Sequence, residues 1–190
     1  MVIDFNDFGA TLRALVQALP FPIVAKETGS GISRGLGRRL RASGVKHVDV
    51  SGAGGTSWVA VETKRAASAN DEPSRKLGDA LWDWGIPTAA SVLEVAPLGF
   101  ETVIATGGVK TGMDVAKAVA LGATAAGIAR PVLVALREGG RAGAIAALEG
   151  IERELRAVML LTGSRTLGDL RRARRVLTGE LRTWAESADT

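Results

Sequence analysis

The feature that most constrains this chain is a recurring apolar run of strand length that ends in small or polar residues and gives way to a helical pattern. Four such runs stand out: 21–26 (FPIVAK), 47–51 (HVDVS), 102–105 (TVIA) and 125–129 (AAGIA). None alternates strictly between apolar and polar residues. Strands covered on both faces of a parallel sheet read this way, whereas strands with one wet face alternate. Helical periodicity separates the runs. Residues 6–19 place Phe8, Leu12, Leu15, Val16 and Leu19 on one face. Residues 33–43 carry Leu36 and Leu40 one turn apart and stop at Gly44. Residues 112–121 carry Met113, Val115, Ala116, Val119 and Ala120 and stop at Gly122. A glycine just past the last periodic residue ends a helix, because it accepts the left-handed conformation that closes the last turn. Pro131 is expected to open the next helix, where its missing N–H removes no bond.

Repeated βα units imply a parallel sheet with right-handed crossovers. The segment 59–86 interrupts the rhythm. Its polar stretch, 66–76, reads as a long loop or insert after the second strand, leading to a helix around 77–84. Long loops at this position commonly carry function. From Arg141 the pattern is helical to near residue 190, with Gly163 as a break. A complete eight-stranded barrel takes roughly 250 residues. A chain of 190 residues with four strands is expected to form one domain over 1–190. It is either a small open α/β domain or half of a TIM-type (β/α)8 barrel with extra helices over 141–190. A half-barrel leaves sheet edges unpaired, which invites a second copy or another chain.

Composition narrows the function classes. Hydrophobic residues make up 46% and charged residues 23%, the balance of a globular chain. There is no cysteine, which excludes disulfides, thiolate metal sites and a cysteine nucleophile. The net charge of +4 owes much to arginines in 153–182, which are interleaved with Glu and Asp and read as a solvated helical face. With no tyrosine and four phenylalanines, a base-stacking platform has little to build on, so no nucleic-acid partner is expected. No apolar run is long enough to span a bilayer. Met1-Val2-Ile3-Asp4 lacks the basic and apolar regions of a secretory leader. A cytoplasmic location is the expectation.

Chemistry concentrates where strands end. In 105–114 (ATGGVKTGMD) a strand gives way to Gly107 and Gly108, and a helix follows at once, with Thr111 and Asp114 spaced as a capping box. The glycines let backbone N–H groups approach an anion. The helix N-terminus adds partial positive charge and Lys110 a full one. The competing reading is a plain glycine turn with an ordinary cap. Residues 127–131 (GIARP) repeat the arrangement one strand later. In barrels of this kind the loops after the last two strands often share a phosphate. Lys26-Glu27 closes the first strand and belongs at the barrel mouth, either holding negative charge on a ligand or forming a surface ion pair. The stretch 49–58 (DVSGAGGTSW) offers three glycines and three hydroxyls as donors, or a flexible turn that Asp49 fixes through backbone N–H groups. His47 starts a strand and so faces away from the mouth, where residues serve stability. Of the four tryptophans, Trp82, Trp84 and Trp184 read as packing, with Trp58 next to the glycine loop as the exception.

The ordered set PIVAKETGSGIS, VDVSGAGGTSW, WGIPTAAS, VIATGGVKTGMDVAKAVALGA, AAGIARPVL and LRAVMLLTGSRTLGDLR resembles type 2 isopentenyl-diphosphate isomerase from about residue 5 to about residue 172. The resemblance implies the C-terminal half of an FMN-dependent (β/α)8 barrel that interconverts isopentenyl and dimethylallyl diphosphate. The flavin itself would act as acid and base, with NAD(P)H as its reductant and Mg²⁺ on the substrate diphosphate. It places Lys26 near the pyrimidine end of the flavin and has Ser51 and Thr56 bond the cofactor. Gly107, Gly108, Val109, Lys110, Ala129 and Arg130 would cradle its phosphate. Lys110 stands where the family usually has Arg, so a bidentate contact becomes a point-charge contact. The family's front half carries an Arg-Lys-His segment, further flavin contacts and a Gln-Glu pair for substrate and metal, and this sequence contains none of them. The chain alone is therefore expected to hold no metal ligand and half of a flavin pocket, and to need a second copy or an N-terminal half. Two alternatives stand beside this. Another FMN barrel oxidoreductase is one, but a hydroxy-acid oxidase would place His then Arg after the second strand, where SGAGGTS has neither. An enzyme like IMP dehydrogenase would need a loop cysteine. The other alternative is a non-catalytic half-barrel that binds FMN or phosphate.

Overall fold

The computed structural model describes residues 5–187. Helix α1 (Phe5–Ala18) leads to β1 (Val24–Lys26), α2 (Arg34–Ala42) and β2 (His47–Asp49). Three helices follow, α3 (Trp58–Ser68), α4 (Glu72–Ala80) and α5 (Thr88–Val95), then a 3-10 turn (Ala96–Leu98) and β3 (Thr102–Ala105). The chain continues through α6 (Gly112–Ala120), β4 (Ala125–Ala126), the long α7 (Arg130–Leu161), α8 (Leu167–Arg172) and α9 (Gly179–Ser187). Residues 1–4, on which the leader argument rests, lie outside the described residues.

The four strands form one parallel sheet in chain order, β1-β2-β3-β4. Val24, His47 and Thr102 stand side by side, as do Lys26, Asp49 and Ile104 two residues later. Level register brings all four strand ends to one edge of the sheet. With helices in every crossover, this is half of a TIM-type (β/α)8 barrel with extra C-terminal helices. The core lies between sheet and helices. Val48, Val50, Val103 and Ala105 pack against Ile32, Leu40, Val45, Val92 and Val95. Each fully buried aliphatic side chain contributes roughly 1.5–3 kcal/mol. A smaller cluster of Ala116, Val119 and Leu170 ties α6 to α8.

The segment 59–86 is not an irregular loop. It holds most of α3 and all of α4, each with its own cap: Ser57 Oγ accepts the Ala60 N–H, and Asp71 Oδ1 accepts the Ser74 N–H. The residues that suggested a loop are the joint between these helices. Asn70 takes the left-handed conformation (φ 56°), Asp71 is the N-cap and Pro73 sits in the first turn of α4. The two helices carry no wide apolar stripe, and Arg65–Glu62, Arg75–Glu72 and Arg75–Asp79 pairs cover their surface. The crossover helix between β2 and β3 is α5, not 77–84, where α4 ends and a turn follows. Helix α5 hides its identity because Ala90, Ser91, Val92 and Val95 are all buried, so it shows no polar face to set a period. Ser91 is satisfied there: its hydroxyl accepts the Ile32 N–H and donates to the Ile32 carbonyl.

Other differences are local. β1 is shorter than 21–26, since Pro22 has no N–H for the ladder. β4 is shorter than 125–129, because the chain turns into α7 after Gly127 donates to the Ala105 carbonyl. Gly163 follows α7, and Gly140 (φ 59°) interrupts it, a break the periodicity does not mark. In α1 only Leu12 of the expected stripe is buried, while Phe8, Leu15 and Leu19 remain exposed. Trp82 and Trp84 are 44% and 72% exposed, so they are not core packing. No described helix is long and apolar enough to cross a membrane.

Candidate functional site

The loops leaving the strands surround one cleft of about 480 Å³. Lys26, Ser51, Thr56, Gly107, Gly108, Val109, Lys110, Ala129 and Arg130 all line it. Residues that the sequence scatters over more than a hundred positions are thus brought together at one edge of the sheet.

At the β1–β2 side the centre is Asp49. This residue is 6% exposed and its carboxylate receives Lys26 Nζ on Oδ2 at 2.8 Å. Thr106 Oγ1 donates to Oδ1 at 2.6 Å, and the Ser51 N–H does so at 3.2 Å. That last bond folds Ser51 into the left-handed region (φ 35°), which a non-glycine residue enters only when its surroundings hold it there. Lys26 does not pair with Glu27. The Glu27 carboxylate accepts the N–H groups of Gly29, Ser30 and Gly31 and fixes the first loop instead.

The loops after β2 and β3 lie backbone against backbone. Gly107 and Gly108 have φ of 97° and 83°. A Cβ on Gly107 would stand 2.1 Å from the Gly52 carbonyl oxygen, and one on Gly108 2.3 Å from that of Gly54. Only glycine fits such an approach. Thr88, at the start of α5, locks the pair by donating to the Gly107 carbonyl at 2.6 Å.

The two phosphate-type turns differ. At α6 the capping box is present: Asp114 Oδ2 accepts the N–H groups of Lys110 and Thr111, and Thr111 Oγ1 accepts the Asp114 N–H. Glu154 reaches across from α7 and accepts the Gly112 N–H at 2.7 Å. Burial pushes the Asp114 carboxyl up, but hydrogen bonds from Lys110 and Thr111 and the charge of Lys117 outweigh it and hold the group below its ordinary value. The N–H groups of Lys110, Thr111 and Gly112 at the positive end of α6 are thus answered by two carboxylates. At α7 the N-cap is Ala129 and no side chain caps the helix. Its first turn meets the cleft with Arg130 and Pro131 beside it. Among the described residues, the N–H groups of Gly108 and Val109 have no acceptor, and Lys110 and Arg130 form no ion pair. Free N–H groups, an open helix N-terminus and two unpaired cations are the kinds of group that attract an anion.

His47 lies at the other end of β2, with Nδ1 2.9 Å from Thr102 Oγ1. Trp58 starts α3 and is 51% exposed. Among the described residues no three His, Asp or Glu side chains stand together to hold a metal ion. Thr106 lines the cleft and Thr88 supports it from behind, and neither stands out in the sequence. Thr106 was signalled only by its place directly after a strand, two positions beyond the neighbour of Asp49.

Residues 10–177 match the family described as FMN-dependent dehydrogenase. The chain is 45% identical to the isopentenyl-diphosphate delta-isomerase of Methanothermobacter thermautotrophicus, over 95% of this chain and 50% of that protein. It is 43% identical to that of Halobacterium salinarum, over 97% of this chain and 51% of that protein. The chain spans about half the length of the curated relatives it matches. Its structure is similar to that of a mandelate oxidase with (S)-mandelic acid, with a TM-score of 0.67 and 25% identity over 90% of this chain and 44% of that one.

Proposed function

This chain belongs to the FMN-dependent dehydrogenase family, and on that footing we propose that it is the cofactor-binding half of an isopentenyl-diphosphate delta-isomerase. The observation that carries the reading is the 45% identity to such an isomerase over 95% of this chain. The cleft supports it. In this reading Arg130, the open first turn of α7 and the N–H groups of Gly108 and Val109 bind the FMN phosphate, with Lys110 adding a point charge. Gly107 permits the close approach, and Ala129 sets the start of the helix. Ser51 and Thr56 bond the cofactor beyond the phosphate, and Lys26 favours negative charge at the pyrimidine end. FMN, once reduced by NAD(P)H, supplies the acid–base chemistry that moves a proton along the allylic unit. Mg²⁺, bound with the isopentenyl or dimethylallyl diphosphate, would need a protein ligand from outside this chain. A cytoplasmic setting belongs to the same reading.

The chain acts as one partial-barrel unit over 1–190, with 59–86 inserted on it and helices over 141–190 added to it. β1 and β4 each have one neighbour in the sheet. Closure by a second copy or by an N-terminal half completes the wall, since an open parallel edge is a template for pairing. A hydroxy-acid oxidase reading shares the fold but lacks its base, because the loop after β2 has no His and His47 lies at the far end of that strand. A non-catalytic FMN half-barrel is the second reading, favoured by the half-length match. Isomerisation of isopentenyl diphosphate with FMN, NADPH and Mg²⁺, measured with and without a separately expressed front half of a relative, separates the two. Turnover on adding the front half supports the isomerase, and FMN binding without turnover in either case supports the scaffold.

A further inference from the structure

Asp49 is the acidic residue of the cleft and the one it buries most deeply among its charged groups. The bonds around it form a closed circuit. Lys26 donates to Asp49 at 2.8 Å and to Thr106 at 3.2 Å. The single hydroxyl proton of Thr106 goes to Asp49 at 2.6 Å, so toward Lys26 that hydroxyl accepts. An ammonium has three donors. Two are spent on this circuit, and the third is left on a side chain that is 50% exposed at the cleft. Three strand spacings put β1 no more than about 14 Å from β4. An FMN phosphate at α7 therefore leaves its ring system within reach of Lys26.

We infer that Asp49 is a positioning residue for the cofactor: through Lys26 and Thr106 it aims the ammonium into the cleft and offsets its charge. The inference rests on the flavin reading. A ring system there meets one directed donor from a nearly neutral pair, not an uncompensated cation. The isoalloxazine gains negative charge on reduction, so this balance sets how strongly the site prefers reduced over oxidised FMN. Thr106 is the hinge of the arrangement, since it bonds both charged groups.

The test measures dissociation constants of oxidised and anaerobically reduced FMN on the full chain, with folding of each variant checked by circular dichroism. Asp49→Asn keeps the shape and an acceptor but removes the negative charge. It is expected to shift the ratio of the two constants about tenfold in favour of reduced FMN. Adding Lys26→Gln to it should return most of that shift. A ratio that Asp49→Asn leaves within twofold of the parent overturns the inference while the flavin reading stands. Where Asp49→Asn does not fold, Thr106→Val decides. It keeps both charges and removes one of the two bonds that aim the ammonium, and is expected to weaken both forms of FMN about fivefold; unchanged constants overturn the inference. A parent chain that binds neither form overturns the flavin reading, and the inference with it.

Discussion

Two consecutive turns of this molecule start from the same materials and end differently. After β3 and after β4 the chain leaves a strand through small residues and a cation, then enters a helix. At α6 the helix N-terminus is filled from inside the protein, by Thr111, Asp114 and Glu154. At α7 Ala129 offers no cap and the first turn opens on the cleft. Orphan N–H groups need partners. At α6 the N–H groups from Lys110 to Gly112 find them in the fold. At α7 no side chain supplies one. The N-terminus of α6 is closed from within and that of α7 is open, and the glycines after β2 and β3 press the closed one into place.

The largest effect expected from this contrast comes from one methyl group. Gly108→Ala must bear both a positive φ and a contact with the Gly54 carbonyl oxygen. It should destabilise the chain by about 3 kcal/mol or more, from strain and overpacking together. Gly139→Ala, in α7 with nothing within 4 Å of the added carbon, should be neutral or stabilise by up to about 1 kcal/mol. Urea unfolding reads both. Equal midpoints for the two variants would mean that the loops after β2 and β3 are not interlocked.

Binding sharpens the contrast next. Arg130→Ala at the open turn is expected to weaken FMN about tenfold, the scale of a lost charge-assisted bond. Lys110→Ala, whose backbone N–H already serves Asp114, should weaken it about threefold and flatten the salt dependence. Fluorescence titration at two salt concentrations measures both. A larger loss from Lys110 than from Arg130 would invert the assignment of the two turns.

The same physics explains what was legible in the sequence. Strand ends followed by glycine marked the cleft, because turns that need positive φ leave a chemical trace. The capping box at Thr111 and Asp114 was readable from spacing alone and is present. Helix α5 was not, since burial on nearly every side erases the polar face that periodicity needs. Helices α3 and α4 were lost for the opposite reason: α4 buries no residue and α3 only Thr63 and Ala66, so polarity resembled a loop. The pairing of Lys26 with Asp49 joins residues 23 positions apart. Only the sheet register makes them neighbours, and adjacent Glu27 was the better guess without it. Glu154 on Gly112 spans 42 positions, and nothing local to either residue announces it.

The smallest effect concerns charge at the filled turn. Asp114→Asn keeps the shape of the capping box and removes its carboxylate. The folded protein holds this carboxyl below its ordinary value of 3.8, so the unfolded chain takes up a proton there before the folded one does. The stabilisation is thus fully present above about that value and disappears as pH falls through the lower, folded one. The group stands near solvent, so its contribution is discounted to about 0.5 kcal/mol at neutral pH. Unfolding free energies for the parent and Asp114→Asn should differ by that amount at pH 7 and converge as the pH falls through the lowered, folded value. A gap that persists unchanged into acid would assign the effect to the geometry of the cap and not to its charge. Glu154 would then be the only carboxylate answering α6, and the contrast with α7 would rest on one side chain.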